Sequence, residues 1–417
     1  MNNPQVMMPA ASGENIPPLP RITVEVFCER PETVAVMQAV VSDRRMMRTH
    51  TQIYSGGIAA AAQYHAQTPT PNLLVVESSA APDQLIASLN ALSQVCSAET
   101  KVIVLGHVND INLYQSLIAQ GISDYITAPF STAQLLASFS RQFASENAVI
   151  GKVVTFMGAK GGVGSSVIAH NIAWLMSEEH GSGTVIADLD LAFGTAGLDF
   201  DADPAQGIID ALSSKDRLDS TFIDRLLHKC SERLMLLASP ASVDRVTDIP
   251  GETLDVIIDI LRSTTPCTVI DLPTTWSDWM KVVLSQTDKL VIVSTLELAA
   301  LRNTKSLVDN IKSARPSDEP PLLVINQAEM GGRPEIPLAK FSSAVGLEVA
   351  SVIPFDAKVF GQALNAGKMI PQVAPKSPAA QEFEKLTRRL LDIEEPEDKK
   401  GGSLFKPLLD KLKKKSK

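Results

Sequence analysis

Between Val153 and Ser166 an apolar strand, Val153-Val154-Thr155-Phe156-Met157, breaks into Gly158-Ala159-Lys160-Gly161-Gly162-Val163-Gly164-Ser165-Ser166 and leads straight into a helical run over 167–176. Glycines at such a turn let backbone N–H groups close around phosphate oxygens, and the helix N-terminus behind them adds partial positive charge. The stretch reads as a phosphate-binding loop, with Gly161, Gly162, Val163, Gly164, Ser165 and Ser166 cradling a nucleotide. One cation is missing. The lysine usual just before the last Ser or Thr is replaced by Ser165, Ala159 replaces the opening glycine, and the loop's one lysine, Lys160, lies on the early side of the glycines. A charge-assisted hydrogen bond contributes roughly 1.5–3 kcal/mol, so affinity or turnover in a lone subunit is expected to fall by about one to two orders of magnitude.

Further polar residues follow in order. Asp188-Leu189-Asp190 ends the next apolar strand, Asp271 ends another, Asn326-Gln327 ends Leu322-Leu323-Val324-Ile325, and Pro354-Phe355-Asp356 ends the last. Carboxylates at strand ends facing a phosphate loop suit Mg²⁺, which takes oxygen ligands and retains waters that carboxylates can hold. Each aspartate taken singly also reads as a helix cap; their order behind the loop favours the ligand reading. The elements that must position them are strands at 153–157, 184–188, 234–238, 267–271, 289–294, 321–326 and 348–353, with helical stretches between most of them. That alternation predicts a doubly wound α/β sheet, with its ligand at the C-terminal ends of the strands.

A smaller α/β block precedes it, with strands at 21–27, 72–77, 101–105 and 124–127 and helices at 31–42 and 83–95. With Ala128-Pro129 after its last strand, the block resembles a response-regulator receiver domain (flavodoxin-like). The resemblance implies acidic Mg²⁺ ligands after the first strand, an aspartyl phosphoacceptor, a hydroxyl residue and a lysine, where this chain has Cys28-Glu29, Glu77, Gly106 and Ala128. The expectation is an atypical receiver-like interaction domain in which Glu77 fixes a negative charge where a phosphoryl group would otherwise stand. The expected organisation is a disordered N-terminus (1–20), the receiver-like domain (21–144), a linker (145–151), the nucleotide-binding domain (152–393) and a tail (394–417).

The 417 residues, 45% hydrophobic and 20% charged, are ordinary for soluble globular protein. No run of 18 uncharged apolar residues occurs, and 1–20 lacks a basic start or an apolar block, so neither secretion nor a membrane span is expected. Cys28, Cys96, Cys230 and Cys267 lie far apart, without metal-ligand spacing; they read as buried thiols in a reducing cytoplasm and exclude an iron–sulfur or zinc site. A net charge of −9 argues against nucleic acid as partner, although 399–417 carries eight lysines against one aspartate. There Leu404, Phe405, Leu408, Leu409 and Leu412 fall at helical spacing among the lysines, which suits peripheral contact with an anionic membrane, the alternative being a disordered solubilising tail.

On Lys160-Gly161-Gly162-Val163-Gly164, Ser166, Asp190 and Asp271, the second domain resembles the MinD/ParA family of deviant Walker A P-loop ATPases. The resemblance implies ATP and Mg²⁺ as cofactors and a homodimer closed face to face across ATP, with Lys160 reaching the partner's phosphates. It further implies Asp190 positioning the attacking water, Asp271 as the Walker B carboxylate, and Ser166, Asp190 and Asp271 around the metal. Asn326, Pro354, Phe355 and Asp356 match the positions that hold adenine. The fusion to an atypical receiver, together with Asp188-Leu-Asp-Leu-Ala-Phe-Gly-Thr-Ala-Gly-Leu-Asp-Phe200, is similar to the TadZ/CpaE family of Flp-type (tad) pilus assembly proteins. That implies a cytoplasmic protein, peripheral at the inner membrane face or a cell pole, that localises pilus and secretion machinery with slow or partner-stimulated hydrolysis. Two other readings stay open: a ParA-like DNA-partitioning ATPase, and a scaffold whose ATP site is vestigial.

Overall fold

The computed structural model describes residues 16–143, 151–240, 248–316 and 318–393. The tail at 394–417, with its proposed membrane contact, lies outside the described residues. Among the described residues thirteen strands form two sheets. The first contains β1 (Thr23–Cys28), β2 (His50–Ser55), β3 (Leu73–Ser78), β4 (Lys101–Gly106) and β5 (Asp124–Thr127), in the order β2-β1-β3-β4-β5 and parallel throughout. This is the flavodoxin-like order. The second contains β6 (Lys152–Gly158), β7 (Thr184–Asp188), β8 (His228–Lys229), β9 (Leu234–Leu237), β10 (Cys267–Leu272), β11 (Lys289–Ser294), β12 (Leu322–Ala328) and β13 (Val349–Pro354). Its order is β13-β12-β11-β6-β10-β7-β9-β8, with β8 the antiparallel member.

Central strands are apolar on both sides because helices cover both faces. Val154, Phe156 and Val291 enter one core of the larger sheet, while Val153, Met157 and Ile292 enter the other. The result is an α/β P-loop NTPase fold whose central strand, β6, delivers its C-terminal end into the glycine loop.

Besides the short strand β8, absent from the seven expected in the larger domain, three features depart from the sequence expectations. Strand β2 was not foreseen, since His50-Thr-Gln-Ile-Tyr-Ser55 is polar, which an edge strand with partly exposed residues tolerates. Residues 16–20, expected within a disordered N-terminus, are packed: Leu19 is fully buried beside Met46 and Phe139, and its N–H donates to Arg45 O at 2.9 Å. Of the four cysteines expected to be buried, Cys28 and Cys267 are buried, whereas Cys96 and Cys230 are partly exposed.

The two sheets are joined through a short turn, Arg44–Met46. Arg44 reaches Asp318 with Nε at 2.5 Å from Oδ2, donates from Nη1 to Ser285 O at 2.6 Å, and lies 3.8 Å from Asp288. Arg45 Nη2 meets Asp318 at 2.7 Å, and Arg48 pairs with Asp255 at 2.5 Å and with Asp259. From the larger domain Arg262 and Arg315 contact Asp288 and Asp318 at 2.9 and 2.7 Å. Most of these side chains are buried, so the contact is a desolvated ionic network rather than a rim of surface pairs.

Candidate functional site

Gly162 and Gly164 have φ values of 80° and 83°, a left-handed conformation that costs a side-chain-bearing residue energy. At Gly164 a Cβ would also lie 2.5 Å from Asn326 Nδ2. Three amide side chains hold the loop by its carbonyls. Asn303 Nδ2 donates to Ala159 O at 3.0 Å, Gln327 Nε2 to Gly162 O at 2.9 Å, and Asn326 Nδ2 to Val163 O at 2.8 Å. No backbone amide of residues 160–164 makes a well-formed hydrogen bond to a described residue. The loop thus presents a run of unpaired donors that leads into the N-terminus of the helix Ser165–Trp174. Unpaired donors at a helix start form an anion site.

Lys160 stands at the rim, about one-third exposed, with Nζ 3.3 Å from Glu297 Oε2. Glu297 also meets Arg333 Nη1 at 3.1 Å, and Arg333 bonds back to Gln327. Ser165 is buried, and its hydroxyl has no partner among the described residues.

At the neighbouring strand ends, Asp188 is fully buried. Its Oδ1 accepts from Asp190 N–H at 3.0 Å, and Oδ2 from Ala196 N–H at 3.3 Å and Ser239 Oγ at 3.2 Å. Burial, reinforced by nearby Asp271, pushes its carboxyl up to about 7. Asp190 is partly exposed and accepts from Phe193 N–H at 3.1 Å. Asp271 is 1% exposed, and its Oδ1 has no partner among the described residues.

Behind these carboxylates lies His170, on the loop's own helix and fully buried. Its Nδ1 is 2.5 Å from Asp199 Oδ2 and its Nε2 3.7 Å from Asp271 Oδ2. Burial pulls the imidazole pKa down, but Asp199 and Asp271 outweigh it and raise the value to about 10.

The donor set fits a phosphate–Mg²⁺ group. Buried oxygens without a partner, Asp271 Oδ1 and Ser165 Oγ, flank a cradle of unpaired amides. No cluster of three or more His, Cys, Asp or Glu side chains among the described residues is arranged to hold a metal alone. Mg²⁺ uses one or two carboxylates together with phosphate oxygens, so a sparse protein contribution is what it takes.

The structure brings Lys160 to Ser166, Asp190 and Asp271 together around the C-terminal end of β6. Two of the residues matched to adenine also hold local structure. Asn326 spends its amide nitrogen on the loop, and Asp356 Oδ1 caps the helix Ala357–Asn365, accepting from Lys358 and Val359 N–H at 3.1 and 3.0 Å. Phe355 is 41% exposed beside Pro354 and leaves an apolar face free. Sequence reasoning missed His170, Asp199, Glu297 and Arg333 as parts of the site. The polar pair His170-Asn171 inside the otherwise apolar run 167–176 was the one available signal.

In the smaller domain Glu77 is fully buried at the end of β3. Its Oε2 accepts from the N–H groups of Glu29 and Arg30 at 2.7 and 3.0 Å, and its Oε1 from Thr33 Oγ1 at 2.7 Å and His107 Nε2 at 2.9 Å. Burial alone would raise this carboxyl, but the donors, Thr33 foremost, hold it below the ordinary glutamate value. The stabilisation is present above the ordinary carboxylate range and is lost as pH falls through the lowered folded value. A Glu77→Gln change turns one acceptor into a donor facing donors, and is expected to cost about 2–3 kcal/mol. An unchanged urea midpoint would contradict that.

No family model matches the chain. The septum site-determining protein MinD of Helicobacter pylori is 25% identical over 270 residues, covering 61% of this chain and 97% of that protein. The crystal structure of a ParA family ATPase from Chlorobium tepidum superposes with a TM-score of 0.53 at 27% identity, covering 57% of this chain and 98% of that one. A pilus assembly protein CpaE from Caulobacter crescentus is 40% identical and covers 31% of this chain and 98% of its own, with a TM-score of 0.31.

Proposed function

On a P-loop NTPase fold of MinD/ParA type, we propose that this chain is an ATP-binding dimeric switch that localises and helps assemble Flp-type (tad) pilus and secretion machinery at the cytoplasmic face of the membrane. The observation that carries the nucleotide reading is the run of unpaired amides at 160–164, braced from behind by Asn303, Asn326 and Gln327. When bound, Mg²⁺ supplies charge neutralisation at the phosphates, and Ser166, Asp190 and Asp271 are the residues that would hold it with its waters.

Dimerisation is supported by what surrounds the loop. Phe193 and Leu198 after β7, Trp276 after β10 and Leu298 after β11 are 73%, 76%, 43% and 75% exposed. Large apolar side chains gathered at one end of a sheet mark a surface that another protein covers, and Lys160 stands at the same end. The pilus role rests on the residue motifs 158–166 and 188–200 together with the atypical receiver-like domain. Among the described residues no helix is long and apolar enough to cross a membrane, which suits a peripheral location.

Lys160 is held within its own subunit by Glu297. Reaching a partner's phosphates requires breaking that one-third-exposed pair, worth about 0.5 kcal/mol in each subunit. Glu297→Ala is therefore expected to tighten ATP-dependent dimerisation about fivefold, since the pair is broken once in each subunit, read from the concentration dependence of sedimentation. Weaker dimerisation would contradict this.

Calorimetry with ATP on the wild type and on Lys160→Ala tests the nucleotide reading. Micromolar binding by the wild type that weakens in the variant supports it. A scaffold with a vestigial site is the second reading, favoured by Ser165 in place of a lysine, and absence of binding by both proteins would select it.

A further inference from the structure

Strand β12 breaks its own register where it ends beside the phosphate loop. It advances from Ile325 to Ala328 while β13 advances only from Val352 to Pro354, so β12 carries an extra residue, a bulge, at Asn326 and Gln327. Gln327 stands there at φ 54°, a left-handed backbone that a side-chain-bearing residue keeps only where its surroundings hold it. A bulge re-aims side chains, and both amides emerge on the loop, Asn326 at Val163 O and Gln327 at Gly162 O, 2.8 and 2.9 Å away. In a planar trans peptide the C=O and N–H point in opposite directions. Pinning Gly162 O from behind therefore turns the Val163 N–H to the open side of the loop.

Gln327 is itself gripped by Arg333. One guanidinium serves both of its oxygens, with Nη2 donating to the backbone O at 2.5 Å and Nη1 to Oε1 at 3.2 Å. The same group meets Glu297 Oε1 at 3.1 Å and Glu335 Oε1 at 3.3 Å, and its side chain is only 17% exposed. Glu335 in turn accepts from the N–H groups of Glu329 and Met330 at 3.1 and 3.4 Å, which closes the turn 329–335 around the arginine. The cation decides which way the Gln327 amide points. A flipped amide would set its NH₂ against the guanidinium donors and its oxygen against Gly162 O, two mismatches at once.

Building on the reading of this loop as a nucleotide site, we infer that Arg333 is a positioning residue for phosphate binding: it fixes the orientation of the Gln327 amide and, through it, the Gly162–Val163 peptide that offers its N–H to the phosphates. Arg333 makes no hydrogen bond to the loop itself; its bonds end on Gln327, Glu297 and Glu335. A lysine at 333 would keep the charge but not the planar fork that serves several oxygens together.

The test is a double-mutant cycle on the full chain with Arg333→Ala and Gln327→Ala, read by calorimetry with MgADP. Each single change is expected to weaken MgADP about fivefold, and the double variant no more than either alone, because both remove the same support. Losses that multiply to about twenty-five-fold would overturn the inference, as would an unchanged affinity in Arg333→Ala. Should Arg333→Ala fail to fold, Arg333→Lys replaces it in the same cycle and is judged the same way.

A second arm needs no ligand. In nucleotide-free protein, hydrogen exchange is followed over 158–168, where Ala159 N–H bonds Val293 O at 2.8 Å and Ile168 N–H bonds Gly164 O at 3.2 Å. Each single variant should exchange about fivefold faster there, and the double variant no faster still. If the wild type binds no MgADP, the nucleotide reading fails and this arm alone decides the role of Arg333. Equal exchange in the wild type and in Arg333→Ala would overturn it.

Discussion

Lys160→Ala is expected to abolish ATP-dependent dimerisation while leaving the fold intact. The loop has no second lysine, so removing Lys160 leaves a phosphate chain with backbone amides alone. Each lost charge-assisted hydrogen bond is worth roughly 1.5–3 kcal/mol, and a two-fold symmetric dimer loses it twice. The dimer dissociation constant should rise by about a hundredfold to ten-thousandfold. Stability should scarcely change, because the side chain is partly exposed and gives up one pair, with Glu297 at 3.3 Å. Sedimentation with a slowly hydrolysed ATP analogue reads the first effect and thermal unfolding the second. A variant that dimerises with ATP as the wild type does would show that the lysine does not bridge subunits.

Arg44→Ala carries the second large effect, on the seam between the two sheets. The Arg44, Asp318 and Asp288 side chains are only 3%, 4% and 6% exposed, so truncation leaves buried carboxylates with fewer donors and the Ser285 carbonyl without its own. Removing one partner of a buried pair costs about 3–5 kcal/mol. The low end is expected here, because Asp318 keeps Arg45 and Arg315 and Asp288 keeps Arg262. Burial would raise the Asp318 carboxyl, but Arg44, Arg315 and Arg45 outweigh it and hold it below the usual aspartate range. Its stabilisation is therefore present above the unfolded aspartate pKa and disappears as pH falls through the lowered folded value. Arg44→Ala should shrink that acid-sensitive component and make the chain cleave sooner in limited proteolysis. Full stability with unchanged protease resistance would mean that the seam is held by apolar contact alone.

Much of the larger domain was legible because its buried strands are apolar runs that stop at a glycine or an aspartate. The loop, Asp188, Asp190 and Asp271 announced themselves by that punctuation. Strand β2 did not, since its residues are those of a polar edge. The seam was invisible because its ion pairs join residues more than two hundred positions apart, such as Arg44 with Asp318 and Arg48 with Asp259. Asn326 shows the limit from the other side: its place at a strand end was readable, whereas the direction of its amide, towards Val163 O, depends on tertiary packing. His170 was hidden by its setting, one of two adjacent polar residues with Asn171 in an otherwise apolar stretch of helix, whose partners Asp199 and Asp271 come from two later segments.

On the function proposed above, ATP joins two copies of this chain through the face that carries Lys160, Phe193, Leu198 and Leu298. The most direct measurement is the mass of the full chain in solution by light scattering, without nucleotide and with ADP, ATP and a slowly hydrolysed analogue. A monomer is expected without nucleotide and with ADP, and a dimer with the analogue and, while it lasts, with ATP. A mass that is the same under all four conditions would contradict it.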